Sequence, residues 1–283
     1  MIKILNTKSK NFNSQLSHYL YLRKNYSNSK NLTVKKIVND VRKNNDKSLI
    51  KYEKKFNKLK TLTKNNLRFS EKEIKRDISN LDPKVKRSID LAYKRIFLFH
   101  KNQKLKNYSI KDRFSNELSY RSKPIEKIGV YVPGGNASYP SSVLMNCIPA
   151  RVAGVSEIFM AVPCLNSKIN PAVLYAAKKC KVKKIFKISG AQAIAAFAFG
   201  TKTINKVDKI VGPGNQYVSL AKKEVFSEVG IDMFAGPSEV TVIADKFSNP
   251  EWVSADLIAQ AEHDELAQAI LITDNENLIY KVK

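Results

Sequence analysis

Only three histidines, His18, His100 and His263, occur among 283 residues, so imidazole chemistry in a folded interior points first to His263. It sits in Gln260-Ala-Glu-His-Asp264, where an apolar helical segment ends. Gln260 and His263 are three residues apart, which places both side chains on one helix face. By spacing alone, a helix-terminal histidine that finds a hydrogen-bond partner is the commoner outcome. A second group of candidates lies in turns. Pro133-Gly134-Gly135, Ser189-Gly190-Ala191-Gln192 and Gly212-Pro213-Gly214-Asn215 each follow an apolar run. Gly-rich turns that open a helix bring backbone N–H groups close to an anionic ligand. There is no Gly-x-Gly-x-x-Gly fingerprint, so the loops alone make no standard dinucleotide claim.

The elements that must carry these loops read as alternating strand and helix. Apolar strand-like runs occupy 128–132, 157–162, 184–188, 208–211, 240–244 and 268–273. Helix-like segments fill 141–153, 171–180, 191–199, 215–229 and 250–266. Such alternation predicts parallel βαβ units with right-handed crossovers. Nearly continuous apolar strands suit a sheet covered on both faces. Ligands of open parallel sheets bind outside the carboxyl ends of the strands, where these three turns fall.

Residues 1–126 read as helical. Ile37, Val38 and Val41 mark an amphipathic face, Ser70 with Glu73 forms a capping-box pattern, and Pro83 fits a helix first turn. This region carries 33 Lys+Arg against 11 Asp+Glu, a balance of +22, whereas residues 127–283 carry 17 against 14, a balance of +3. The basic residues are mainly lysines among asparagines, a pattern that AT-rich codon usage produces without any ligand. No Arg–aromatic interleaving or helix-turn-helix signature accompanies them, so the expectation is solvated helix faces and no nucleic-acid partner. Cys147, Cys164 and Cys180 are spaced by 17 and 16 residues with no Cys-x-x-Cys pair, which predicts buried reduced thiols. No apolar run reaches membrane-spanning length, and no signal-peptide pattern follows Met1; the expected location is cytoplasmic, with no membrane partner.

Taken as an ordered set, the motifs resemble the histidinol dehydrogenase family. The residues that carry the resemblance are Tyr131-Val-Pro-Gly-Gly135, Tyr139-Pro-Ser-Ser-Val-Leu-Met145, Pro149-Ala-Arg-Val-Ala-Gly154, Gly190-Ala-Gln-Ala-Ile-Ala-Ala196 and Gly212-Pro-Gly-Asn215, then Ile231-Asp-Met233, Ala235-Gly-Pro-Ser-Glu-Val240 and Gln260-Ala-Glu-His-Asp264. The resemblance implies NAD-dependent oxidation of L-histidinol to L-histidine through histidinaldehyde, the last steps of histidine biosynthesis. It implies NAD contacts at Tyr131, Gln192 and Asn215. It implies substrate contacts at Ser238, Gln260 and His263, the latter two also as ligands of a non-redox Zn2+. An imidazole nitrogen and an amide oxygen are reasonable zinc donors. The implied fold is α/β and aldehyde-dehydrogenase-like: two Rossmann-like units with mostly parallel sheets, the second incomplete, plus N-terminal helices. Residues 1–25 and 127–237 are expected to form the first unit, and 26–126 with 238–283 the helical segment and second unit.

The family pattern continues beyond Lys283, and its catalytic Glu-His pair lies in that further region, so no catalytic residue is assigned in this chain. Glu262, Asp264 and Glu265 are read as helix-surface carboxylates. The expectation is a fragment of an enzyme that is homodimeric at full length, inactive by itself. The alternative is a degenerate, non-catalytic nucleotide-binding module.

Overall fold

The structure, a computed structural model, describes residues 2–26, 28–134, 139–164, 169–234, 239–262 and 267–283. In chain order, helices α1 (Phe12–Tyr26), α2 (Asn28–Asn44), α3 (Asp46–Phe56), α4 (Glu71–Ser79) and α5 (Pro83–Lys101) come first. An antiparallel hairpin follows, β1 (Tyr108–Lys111) and β2 (Glu117–Tyr120). The alternating part runs β3 (Lys127–Tyr131), α6 (Pro140–Ala153), β4 (Glu157–Ala161), α7 (Pro171–Lys179), β5 (Lys184–Phe186), α8 (Gly190–Phe199), β6 (Lys209–Val211), α9 (Gln216–Val225) and β7 (Gly230–Ile231). It ends with β8 (Glu239–Ile243), α10 (Pro250–Ala261), β9 (Gln268–Ile272) and α11 (Glu276–Val282). Contacts divide the chain into one unit of Thr33–Phe234 and another of Met1–Leu32 with Ala235–Lys283.

The larger unit is built on a parallel five-stranded sheet of order β5-β4-β3-β6-β7. This is the strand order of a doubly wound sheet, and the chain reverses direction across the sheet between β3 and β6. Helices α6 and α7 pack together, as do α8 and α9. The central strands are buried along almost their whole length, as an apolar run covered on both faces requires. The six strand-like runs of the sequence correspond to β3–β6, β8 and β9. The two-residue β7 was not anticipated.

Residues 33–44 of α2, with α3, α4 and α5, pack within this sheet unit. One core joins Val34, Val41 and Leu49 to Val130, Met160 and Ile210. Residues 67–69 also cover the sheet edge: the Phe69 N–H donates to the Ile185 carbonyl at 2.9 Å, and the Lys187 N–H to the Leu67 carbonyl at 2.8 Å. By their contacts, residues 33–126 group with the sheet and residues 1–32 with 235–283. The capping box at Ser70 forms as anticipated, with Ser70 Oγ accepting from the Glu73 N–H and Glu73 Oε2 accepting from the Ser70 N–H. The helical expectation fails at 108–120, which forms the β1–β2 hairpin. Tyr108 faces Tyr120 and Ile110 faces Leu118 on one side, with Ser109 opposite Ser119 on the other. Asp112 holds its turn by accepting from the Phe114 and Asn116 N–H groups at 2.8 and 2.9 Å.

The other unit contains a single βαβ element. Strands β8 and β9 are parallel neighbours joined through α10, with α11 beyond. Ala244, Val253 and Leu278 form its small core, while Ile243, Phe247 and Trp252 are exposed. A two-stranded parallel sheet with exposed apolar residues has the character of the smaller, incomplete unit expected from the sequence.

No helix among the described residues is long and apolar enough to cross a membrane. The three cysteines are buried and unbridged, as anticipated. Hydrogen bonding with Cys180, then burial, pushes the Cys147 thiol well above the usual range, and burial pushes Cys164 up to about 12. Neither is a thiolate nucleophile near neutral pH.

Candidate functional site

The candidate cofactor residues follow strands of one sheet. Tyr131 ends β3, the central strand at which the chain reverses. It is buried, and its Oη accepts from the Gly190 N–H at 3.2 Å, so it reaches the turn after β5. Burial pushes its phenol up to about 12, so it stays protonated and neutral near pH 7. Gly190 opens α8 with a positive φ of 58°, a conformation open to glycine at little cost. Two residues on, Gln192 is buried in the first turn of α8.

The turn after β6 approaches the same strand. Gly212 has a φ of 112°, and a Cβ there would stand 2.0 Å from the Tyr131 carbonyl oxygen. Only glycine fits so close to the neighbouring backbone. The turn is pinned from below by Lys222 of α9, whose Nζ donates to the Gly212 carbonyl at 2.6 Å and pairs with Asp232 at 2.7 Å. Asp232 in turn accepts from the Gly212 N–H at 2.8 Å. Asn215 is exposed and caps α9, its Oδ1 accepting from the Val218 N–H at 3.2 Å. The structure thus gives Asn215 a local structural task in addition to the one expected of it.

The residue that sequence reasoning missed is Glu53. It comes from α3, is fully buried, and lies beneath the turn after β5. Its Oε1 accepts from the Ser189 N–H at 2.8 Å and from Gln192 Nε2 at 2.7 Å; its Oε2 accepts from Asn57 Nδ2 at 2.5 Å. Burial pushes its carboxyl above the usual range, against the lowering effect of these donors. The only signal in the sequence was a glutamate among lysines, which reads as a solvated face.

Gln260 lies in the last turn of α10, in the smaller unit. Its Nε2 is buried with no hydrogen-bond partner among the described residues. A buried carboxamide left partly unpaired is costly unless something binds it. The orphaned atom is the donor end of the amide, which calls for an acceptor; a zinc ion would instead be met by the oxygen end. His263 and Ser238 lie outside the described residues. Among the described residues no cluster of three or more His, Cys, Asp or Glu could hold a metal, so Gln260 is the one donor of the expected pair that is in view.

The sheet order and the turns at its switch point define an α/β protein of Rossmann-like architecture, whose candidate ligand edge lies at the carboxyl ends of β3, β5 and β6. The family model "Histidinol dehydrogenase" matches residues 22–283. The histidinol dehydrogenase of Pelagibacter ubique is 57% identical over all of this chain, and that of Agrobacterium fabrum 49% identical over 95% of it. A crystal structure of histidinol dehydrogenase from Elizabethkingia anophelis, 44% identical, covers 88% of the chain with a TM-score of 0.78. The chain belongs to the histidinol dehydrogenase family. It spans 65% and 62% of the two relatives' own lengths and 57% of the crystallised chain.

Proposed function

We propose that this chain is part of an NAD-dependent histidinol dehydrogenase that oxidises L-histidinol to L-histidine through histidinaldehyde, holding substrate with the help of a zinc ion. The observation that carries the proposal is the family match across residues 22–283, which includes the turns at the sheet's switch point. Tyr131, Gln192 and Asn215 are proposed to hold the cofactor, with Gly190 and Gly212 allowing close approach of its anionic groups. NAD+, when bound, supplies hydride acceptance. The protein's part is to orient the partners and exclude water. Ser238, Gln260 and His263 are proposed to contact the substrate, the last two through zinc used as a template and not as an electron carrier. We propose further that the protein acts in the cytoplasm, and that the full-length enzyme is a homodimer.

The 283-residue polypeptide is proposed to be inactive alone. Catalytic zinc takes about three protein ligands plus an open position, and Gln260 and His263 supply two. The test is to incubate the polypeptide with L-histidinol, NAD+ and Zn2+, and to repeat the assay after joining it to the portion of the Pelagibacter enzyme outside the match. Turnover and zinc retention against a chelator are expected only in the joined protein, and His263→Asn there removes both. Robust NADH formation by the 283-residue polypeptide would refute the assignment of its catalytic groups. NAD+ binding without turnover in the joined protein would favour a non-catalytic nucleotide-binding module.

A further inference from the structure

The buried Glu53 hub bears on how the candidate cofactor edge is set, and the inference from it rests on the reading that Gln192 contacts NAD. A carboxamide has a donor end and an acceptor end, and its partners decide which end faces a ligand. Glu53 Oε1 already accepts from the Ser189 N–H at 2.8 Å, so Gln192 can meet it at 2.7 Å only with its donor end. An ionised Glu53 has no proton to offer, so the carboxamide cannot meet it with its oxygen. Gln192 Oε1 is thereby turned outward from Glu53. It lies beside Gly190, 3.1 Å from where a Cβ at that position would stand, and no donor among the described residues reaches it. The same carboxylate also fixes the Ser189 N–H, one residue before the Gly190 N–H that Tyr131 engages.

We propose that Glu53 is a positioning residue for the dinucleotide: it holds the Gln192 carboxamide with its oxygen toward the ligand, as an acceptor for a hydroxyl or amino group of the cofactor. Without Glu53 the amide is free to turn its NH2 outward, and the acceptor is lost. A carboxylate kept only to tie α3 to α8 would predict something else: lower stability, with the affinity of a folded variant unchanged.

The experiment measures NAD+ affinity by isothermal titration and stability by thermal melting, in parallel, on the joined protein described above. Glu53→Gln keeps an oxygen at the Oε1 position and is expected to bind NAD+ within about threefold of the parent. Glu53→Met is expected to weaken binding about tenfold, the order of one lost hydrogen bond. Glu53→Asp, which keeps the charge but withdraws it by one methylene, is expected to do the same and serves if Glu53→Met does not fold. Gln192→Ala is expected to lose about tenfold, and Glu53→Asp combined with Gln192→Ala no more than Gln192→Ala alone, because Glu53 acts through Gln192. Folded Glu53→Asp with parental affinity, or losses that multiply to about a hundredfold in the double variant, would overturn the role of Glu53 while leaving the cofactor site in place. Gln192→Ala with parental affinity, or a parent chain that binds no NAD+, would instead refute the cofactor reading and this inference with it.

Discussion

At Asn215 the expected cofactor contact and an observed helix cap fall on one side chain. Its Oδ1 accepts from the Val218 N–H, so Asn215→Ala removes a cap as well as any ligand contact. Loss of such a cap costs about 1 kcal/mol. Serine caps nearly as well as asparagine but lacks the carboxamide. Asn215→Ser is therefore expected to keep the melting temperature within about 2 °C of the parent and still to weaken NAD+ binding several-fold. Equal affinity in Asn215→Ser and the parent would leave Asn215 with its capping task alone. The contrast with Glu53 shows what a sequence reveals about single residues. Gln192 and Asn215 stand out as candidates because they sit in Gly-containing turns at the ends of expected strands. Glu53 does not, because its partners Ser189 and Gln192 lie 136 and 139 residues away. Nothing local separates a glutamate in Lys-Tyr-Glu-Lys-Lys from one that faces water.

Among elements, legibility followed length and burial. Strands β3 and β4 announce themselves as apolar runs because both faces of the sheet are covered. β7 is two residues long, too short for any periodicity. The β1–β2 hairpin was missed for another reason: its period-two alternation of Tyr108 and Ile110 with Ser109 and Lys111 lies in a lysine- and asparagine-rich stretch that resembles the helices before it. The Gly212 turn shows how an element is held at a functional edge. The β6–α9 connection must pass close to the Tyr131 carbonyl, and Lys222 reaches up from α9 to bind both the Gly212 carbonyl and Asp232. Lys222 is almost wholly buried, so these partners take up its N–H donors. Lys222→Met is expected to lose about 1–2 kcal/mol, chiefly by leaving the turn carbonyl unpaired, since Asp232 can turn to water. It should also weaken NAD+ binding without touching any proposed contact residue. Denaturant unfolding with a parental midpoint would show that the turn does not need this pin.

Across the whole molecule the charge is lopsided: +22 over residues 1–126 and +3 over the rest. Such a half invites comparison with nucleic-acid-binding proteins, and the fold gives a physical way to judge it. Some of the N-terminal cations sit in local pairs, such as Lys51 with Asp40 and Arg76 with Asp77, which leave the net excess unchanged. Lys35, Lys36, Lys54, Lys55, Lys84 and Arg87 lie exposed on three different helices, not in one groove. Dispersed lysines make separate phosphate contacts, each releasing counterions, and none reads a base edge. Binding of that kind has a definite signature: it falls steeply with salt and ignores sequence. The chain is expected to bind duplex DNA measurably at about 20 mM salt, to lose at least a hundredfold in affinity by about 150 mM, and to hold scrambled and unscrambled duplexes equally, since the logarithm of affinity falls in proportion to the number of phosphates neutralised. A fluorescence-anisotropy titration at both salt concentrations tests this. Sub-micromolar binding that survives at the higher salt, or discriminates between sequences, would require an ordered interface that this distribution of lysines does not supply, and would give the N-terminal helices a partner of their own.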